Sequence, residues 1–138
     1  MRTGIKGILF DLDNTLIDRQ AAADAKVRKL VDELFPQLRD EPVERENIVQ
    51  KLLTWDEYGS IPKIHMYSML AKEYGISQEQ VDALCKDWND TFGDYTVVFP
   101  QARRVVEQLK KKYKVGIVTN GISPMQRRKL ELCGLADL

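Results

Sequence analysis

The spacing of apolar residues divides the chain into strand-like and helix-like stretches. Ile5 to Phe10 is a short apolar run, interrupted by Lys6 and Gly7, that stops abruptly in Asp11-Leu12-Asp13-Asn14-Thr15. Val115 to Val118 has the same grammar: it follows Tyr113-Lys114 and ends in Thr119-Asn120-Gly121. Such runs predict buried strands that each feed a polar loop. Between them the period lengthens to that of a helix. Val27, Leu30, Val31, Leu34 and Phe35 fall on one helical face before Pro36 stops it. Ile48, Leu52 and Trp55, with Val49 and Leu53 beside them, form a second stripe closed by Gly59 and Pro62. Met66, Met69, Leu70 and Tyr74 predict a third helix ended by Gly75. Ser77 and Gln80 form a capping box for a fourth, whose stripe is Val81, Leu84, Cys85 and Trp88.

A fifth stripe, Ala102, Val105, Val106 and Leu109, runs directly into the second strand, as in an α-then-β unit packed on a sheet. Ser123 as N-cap and Pro124 behind it start a sixth helix, which Gly134 ends. The layout predicts an α/β fold: a Rossmann-like parallel sheet, incomplete here, with an inserted α-helical cap. The core is expected over residues 1–17 and 96–138 and the cap over 18–95. In an open parallel sheet the ligand site lies beyond the carboxyl ends of the strands. The Asp11–Asp13 and Thr119–Asn120 clusters are therefore expected to converge.

Composition narrows the partners. The 138 residues give room for one domain of ordinary size, and 43% hydrophobic with 30% charged is the balance of a soluble globular chain. Lys and Arg total 21 against 21 Asp and Glu, so no net positive charge draws the chain to nucleic acid or an anionic membrane. No apolar run approaches the ~18 residues needed to span a bilayer. The acidic cluster from Asp11 interrupts any secretory signal, which points to the cytoplasm. Cys85 and Cys133 have neither CxxC spacing nor neighbouring His, and are expected as buried thiols in a reducing compartment.

Two carboxylates two residues apart at a strand tip repel each other unless a cation, a proton or backbone donors compensate. By itself such a pair also fits a turn-capping Asp beside a solvated one, and Thr-Asn-Gly is ordinary turn chemistry. The context is more specific. Phe10-Asp11-Leu12-Asp13-Asn14-Thr15-Leu16 after one strand, matched by Val118-Thr119-Asn120-Gly121 after a later one, resembles the haloacid dehalogenase superfamily, with a helical insertion resembling its C1-type cap.

The resemblance implies roles. Asp11 matches the nucleophile, which forms an aspartyl-phosphate intermediate, and Asp13 matches the general acid and base. The Asp11 carboxylate and the Asp13 backbone carbonyl match ligands of Mg²⁺. Thr119 and the Asn120 amide match the donors that hold the phosphoryl oxygens. The physics agrees: a carboxylate attacking a phosphate dianion needs a bridging cation, and oxygen-only ligands favour Mg²⁺ over zinc. Members that cleave carbon–halogen or carbon–phosphorus bonds lack an aspartate at the place of Asp13, so a phosphatase or phosphomutase is expected, and Asn14-Thr15 resembles the phosphatases and nucleotidases more than the sugar phosphomutases. Its substrate would be a small phosphate ester, with sugar phosphates and nucleoside monophosphates both open.

The family also carries a phosphate-binding Lys and a further acidic motif on later strands. Here eighteen residues follow Asn120, and Arg127, Arg128, Lys129, Glu131 and Asp137 lie in or just after the sixth helix. Lys129 is therefore expected on a solvated helix face. The chain is expected to be the N-terminal portion of a longer protein and a poor catalyst alone, with its second strand showing an exposed apolar edge. A phosphate-binding or protein-interaction module is the alternative reading. In the cap, Trp55, Tyr58 and Gly59 are the candidates for specificity, Tyr67 and Trp88 are expected in the core, and His65 is expected to be partly buried.

Overall fold

Prolines, glycines and caps set the helix boundaries seen in a computed structural model, which describes residues 4–136. The elements are β1 (Gly7–Phe10), α1 (Arg19–Leu34), α2 (Pro42–Asp56), α3 (Lys63–Tyr74), α4 (Gln78–Thr91), α5 (Ala102–Lys110), β2 (Lys114–Ile117) and α6 (Ser123–Leu132). Pro36 follows the end of α1, and Pro42 occupies the first turn of α2, where its missing N–H has no partner to lose. Gly75, at φ 74°, caps α3 in the left-handed region that disfavours side-chain-bearing residues. At the start of α4, Ser77 and Gln80 form the reciprocal capping box. Ser123 is the first helical residue of α6 rather than its cap, which is Ile122. Asp137 lies outside the described residues.

The chain forms two compact units. One takes in the chain up to Arg19 and from Thr96 onward; the other is Gln20–Tyr95. In the first, β1 and β2 pair in parallel, from Gly7 opposite Lys114 to Phe10 opposite Ile117. Phe10, Val115 and Ile117 turn to one face, where they pack on a core that includes Leu12, Leu16, Ile17 and Val106. On the other face Leu9 lies over Gly116, where an added Cβ would come within 3.0 Å of its Cδ2, yet Leu9 is 72% exposed. β1 is thus not the buried strand its apolar run predicts: only one face is packed, and the Leu9 face is open.

The loop after β1 is anchored by its backbone. The carbonyl of Leu12 accepts from the amides of Thr15, Leu16 and Ile17 at 2.9–3.2 Å, while the Leu12, Leu16 and Ile17 side chains are buried. The chain's two passages are stitched where Asp18 N–H donates to Val97 O at 2.7 Å and Phe99 N–H to Leu16 O at 3.1 Å.

The helical unit has its own core, built from the predicted stripes of α1 to α4. Val27, Val31, Ile48, Leu52, Met66 and Leu70 are among its fully buried side chains. Tyr67 and Trp88 are buried as expected, with Trp88 stacked on Phe92 at 4.4 Å between ring centroids. Polar ties reinforce it. The fully buried Asp56 carboxylate pairs with Lys63, and Lys26 pairs with Asp87. Arg28 on α1 donates to both carboxylate oxygens of Glu46 on α2, at 2.7 and 3.0 Å.

That fork, followed by a hydrogen bond from Gln50, holds the Glu46 carboxyl down at about 2, against an ordinary 4.5. The folded value lies below the unfolded one. The pair therefore stabilises the fold fully above about pH 4.5, and its contribution is lost as pH falls toward 2. Glu46→Gln should lower the thermal unfolding midpoint above pH 4.5 and leave it nearly unchanged near pH 2. Circular dichroism melts across that range check this, and added salt should narrow the difference because the pair is exposed.

Candidate active site

Parallel pairing carries the two motifs to the same end of the sheet. The amide of Val118 donates to Phe10 O at 2.9 Å, so the register continues past the strands and brings Asp11 alongside Val118, one residue before Thr119. Leu12 is buried between Asp11 and Asp13, which turns both carboxylates away from the core. Asp11 is exposed and accepts from the Thr15 hydroxyl at 3.4 Å. Asn14 sits at φ 60°, a left-handed position that Asn tolerates, and its Oδ1 accepts from the Arg19 N–H at 3.1 Å.

Asp13 is the hub. Its Oδ1 accepts from Lys129 Nζ at 2.8 Å, and its Oδ2 accepts from Gln126 Nε2 at 3.1 Å. The same Nε2 donates to Thr119 Oγ1 at 2.7 Å. One side chain from α6 thus links the first motif to the second. Asn120 is exposed, and its backbone oxygen accepts a long bond from the Thr119 hydroxyl at 3.4 Å. Gly121, at φ 126°, makes room for the link. A Cβ there would stand 3.2 Å from Gln126 Cδ on a backbone that L-residues rarely adopt.

Lys129 corrects the sequence reading. It is no solvated residue: its side chain is 4% exposed, and burial pushes its ammonium below the ordinary lysine value while Asp13 opposes that shift. Gln126, also buried, escaped notice altogether. The signal was present, because Gln126, Lys129, Leu130 and Cys133 fall at i, i+3, i+4 and i+7, one stripe of α6 whose first two members are polar. A polar residue in an otherwise inward stripe marks a face that meets other polar groups.

The cap candidates lie in the helical unit. Trp55 is half-buried in α2 and lines a cleft of about 350 Å³ with Asn47 and Lys51. Tyr58 is 73% exposed and lines another, of about 650 Å³, with Gln50, Thr54, Glu57 and Ser60. Glu57, Tyr58 and Gly59 are successive left-handed residues at φ 43°, 56° and 87°. The two non-glycines there cost about 1–2 kcal/mol each. His65 is exposed on α3, not partly buried. Of the cysteines, Cys133 is buried and Cys85 half-buried; both are free thiols, and burial raises the pKa of each.

Hard oxygen donors at the strand tip are of the type that Mg²⁺ takes, and that ion retains several waters and needs only one or two protein carboxylates. Among the described residues no group of three or more His, Cys, Asp or Glu is placed to hold a metal. No helix among them is long and apolar enough to cross a membrane.

A parallel α/β sheet with paired motifs at its carboxyl end and a helical insertion after the first motif defines a haloacid dehalogenase-like hydrolase. The chain belongs to that family, whose model, described as haloacid dehalogenase-like hydrolase, matches residues 5–138. It is 29% identical over 133 residues to the HAD-hydrolase YfnB of Bacillus subtilis, covering 93% of this chain and 56% of that protein. It is 30% identical over 136 residues to the glyceraldehyde 3-phosphate phosphatase of Pyrococcus furiosus, covering 96% of this chain and 56% of that one. A magnesium-bound crystal structure of YfnB matches with a TM-score of 0.65 at 27% identity, over 96% of this chain and 61% of its own. A HAD-superfamily hydrolase of Geobacter sulfurreducens shares the fold at 18% identity, with a TM-score of 0.63, over 96% of this chain and 59% of its own. The chain spans little more than half the length of these curated relatives.

The Asp13–Lys129 pair is unevenly buried, 24% against 4% exposed. Asp13→Ala removes the carboxylate that offsets a buried ammonium, and should cost about 3 kcal/mol of stability or more. Lys129→Met keeps the packed stem and leaves a carboxylate that water can reach, so its cost should stay near 1 kcal/mol. Urea unfolding of the two variants checks the order, and an equal or reversed cost would mean that the pair is not buried as described.

Proposed function

We propose that the chain carries the nucleophile, the proton donor and the phosphate grip of a Mg²⁺-dependent phosphomonoester hydrolase acting on a small cytoplasmic metabolite. One observation carries the reading: Asp13 of the first motif and Thr119 of the second are joined through Gln126 beside Asp11, at the carboxyl end of paired parallel strands. Relatives named glyceraldehyde 3-phosphate phosphatase favour a small sugar phosphate over a nucleoside monophosphate.

In this mechanism an Asp11 carboxylate oxygen attacks phosphorus in line, and the ester P–O bond breaks as the aspartyl-phosphate forms. Asp13 gives its proton to the leaving oxygen. It then takes a proton from the water that attacks phosphorus, releasing phosphate and restoring the Asp11 carboxylate. An ionised carboxylate offers about four lone-pair sites. The bonds from Lys129 and Gln126 engage one on each oxygen, so Asp13 keeps capacity for this exchange. The Thr119 hydroxyl and the Asn120 amide orient the phosphoryl oxygens. Mg²⁺, held by the Asp11 carboxylate and the Asp13 carbonyl, would supply charge neutralisation between nucleophile and phosphate. In the helical unit, Trp55, Tyr58 and Gly59 would select the leaving group.

Asp11→Asn should reduce phosphate release on the order of a thousandfold or more while leaving the circular dichroism spectrum unchanged. The measurement is phosphate release from a panel of sugar phosphates and nucleoside monophosphates, with and without Mg²⁺. Retained turnover would reject Asp11 as the nucleophile.

A further inference from the structure

Gln126 is 5% exposed, yet both of its described side-chain contacts are to residues of the two motifs. A primary amide has two N–H donors on nitrogen and only acceptor capacity on oxygen. The Asp13 carboxylate settles which end faces it: turned the other way, the amide oxygen would meet a carboxylate oxygen at hydrogen-bond distance, acceptor against acceptor. Nε2 therefore donates both bonds, to Asp13 Oδ2 at 3.1 Å and to Thr119 Oγ1 at 2.7 Å. Thr119 must accept, and its own proton is turned away from the Gln126 amide. Its outward bond, to Asn120 O, is long at 3.4 Å and easily exchanged for a better acceptor.

We propose that Gln126 is a positioning residue that fixes Thr119 as a hydrogen-bond donor toward a phosphoryl oxygen. Without the Gln126 amide, the Thr119 hydroxyl can turn its proton inward and must be reoriented before it meets an anion. Gly121 is part of the same arrangement, because an added Cβ would stand 3.2 Å from Gln126 Cδ and crowd the side chain that reaches both partners. This assignment rests on the proposed phosphohydrolase reading and adds to it a residue outside both strand-tip motifs.

The test uses inorganic phosphate with Mg²⁺, by titration calorimetry on this chain, and the Gln126 side-chain amide signals by NMR. Gln126→Met keeps the length of the side chain and removes both donors. It should weaken phosphate binding about tenfold, the worth of one hydrogen bond to a charged group. Thr119→Val should weaken binding at least as much, and adding Gln126→Met to Thr119→Val should weaken it no further. In a Thr119→Ser background, which keeps the hydroxyl, Gln126→Met should retain its full effect. The Gln126 amide signals should shift in Thr119→Val and again when phosphate is added to the wild type. Unchanged binding by a folded Gln126→Met variant, effects that multiply in the double variant, or amide signals indifferent to Thr119→Val would overturn the inference alone. A folded wild type that does not bind phosphate would overturn the phosphohydrolase reading and this inference with it.

Discussion

The parallel pairing of β1 with β2 is the constraint on which the site depends. The motifs lie more than a hundred residues apart in the chain, and four aligned residue pairs bring their ends together. Because side chains alternate along a strand, the register that buries Phe10 and Ile117 also fixes which residues emerge at the tip. Leu12 extends that logic one step beyond the strand. Its burial holds the loop down, and the carboxylates on either side have nowhere to go but outward. A slip of one residue would send Asp11 and Asp13 toward the core and Leu12 into water.

Like charges at a strand tip need company, and α6 supplies it. The helix presents a stripe that begins polar, with Gln126 and Lys129, and continues apolar with Leu130 and Cys133. The apolar end docks the helix on the core of the unit, and the polar end reaches the carboxylate and the threonine. Packing and chemistry are thus served by one face. Burying an ammonium is unfavourable without a partner, and Asp13 lies 2.8 Å from Lys129. The same carboxylate is thereby held in place by groups that came in with the helix.

Much of this was legible in the residues. Five helical stripes, a sixth helix opened by Pro124, the Ser77–Gln80 box and the Gly75 cap reflect local rules. The helices formed where the pattern put them, although Met69 and Val105 of those stripes are exposed and Ile122 rather than Ser123 caps α6. The strand tips stood out only through their joint context, since Asp-Leu-Asp after an apolar run by itself also fits a turn cap beside a solvated carboxylate. What escaped is what depends on a partner far away in sequence. Lys129 looks solvated among Arg127, Arg128 and Glu131, because its burial is decided by Asp13, 116 residues earlier. Gln126 is silent for the same reason. β1 reads as buried from composition, but Leu9 shows that an apolar residue is buried only where something packs on it.

The glycine of Thr-Asn-Gly shows how these levels join. In isolation the tripeptide is a turn, and Gly121 is its left-handed residue. In the folded unit the same glycine also leaves the space through which Gln126 reaches Thr119 and Asp13, so the turn and the polar link cannot be varied independently. Alanine at this position would strain the backbone and also press on the Gln126 side chain. A motif that reads as turn chemistry in the sequence is therefore also a packing requirement of a side chain five residues later. Thr119 and Asp13 become one unit because the turn between Thr119 and α6 is small enough to let a single amide touch both.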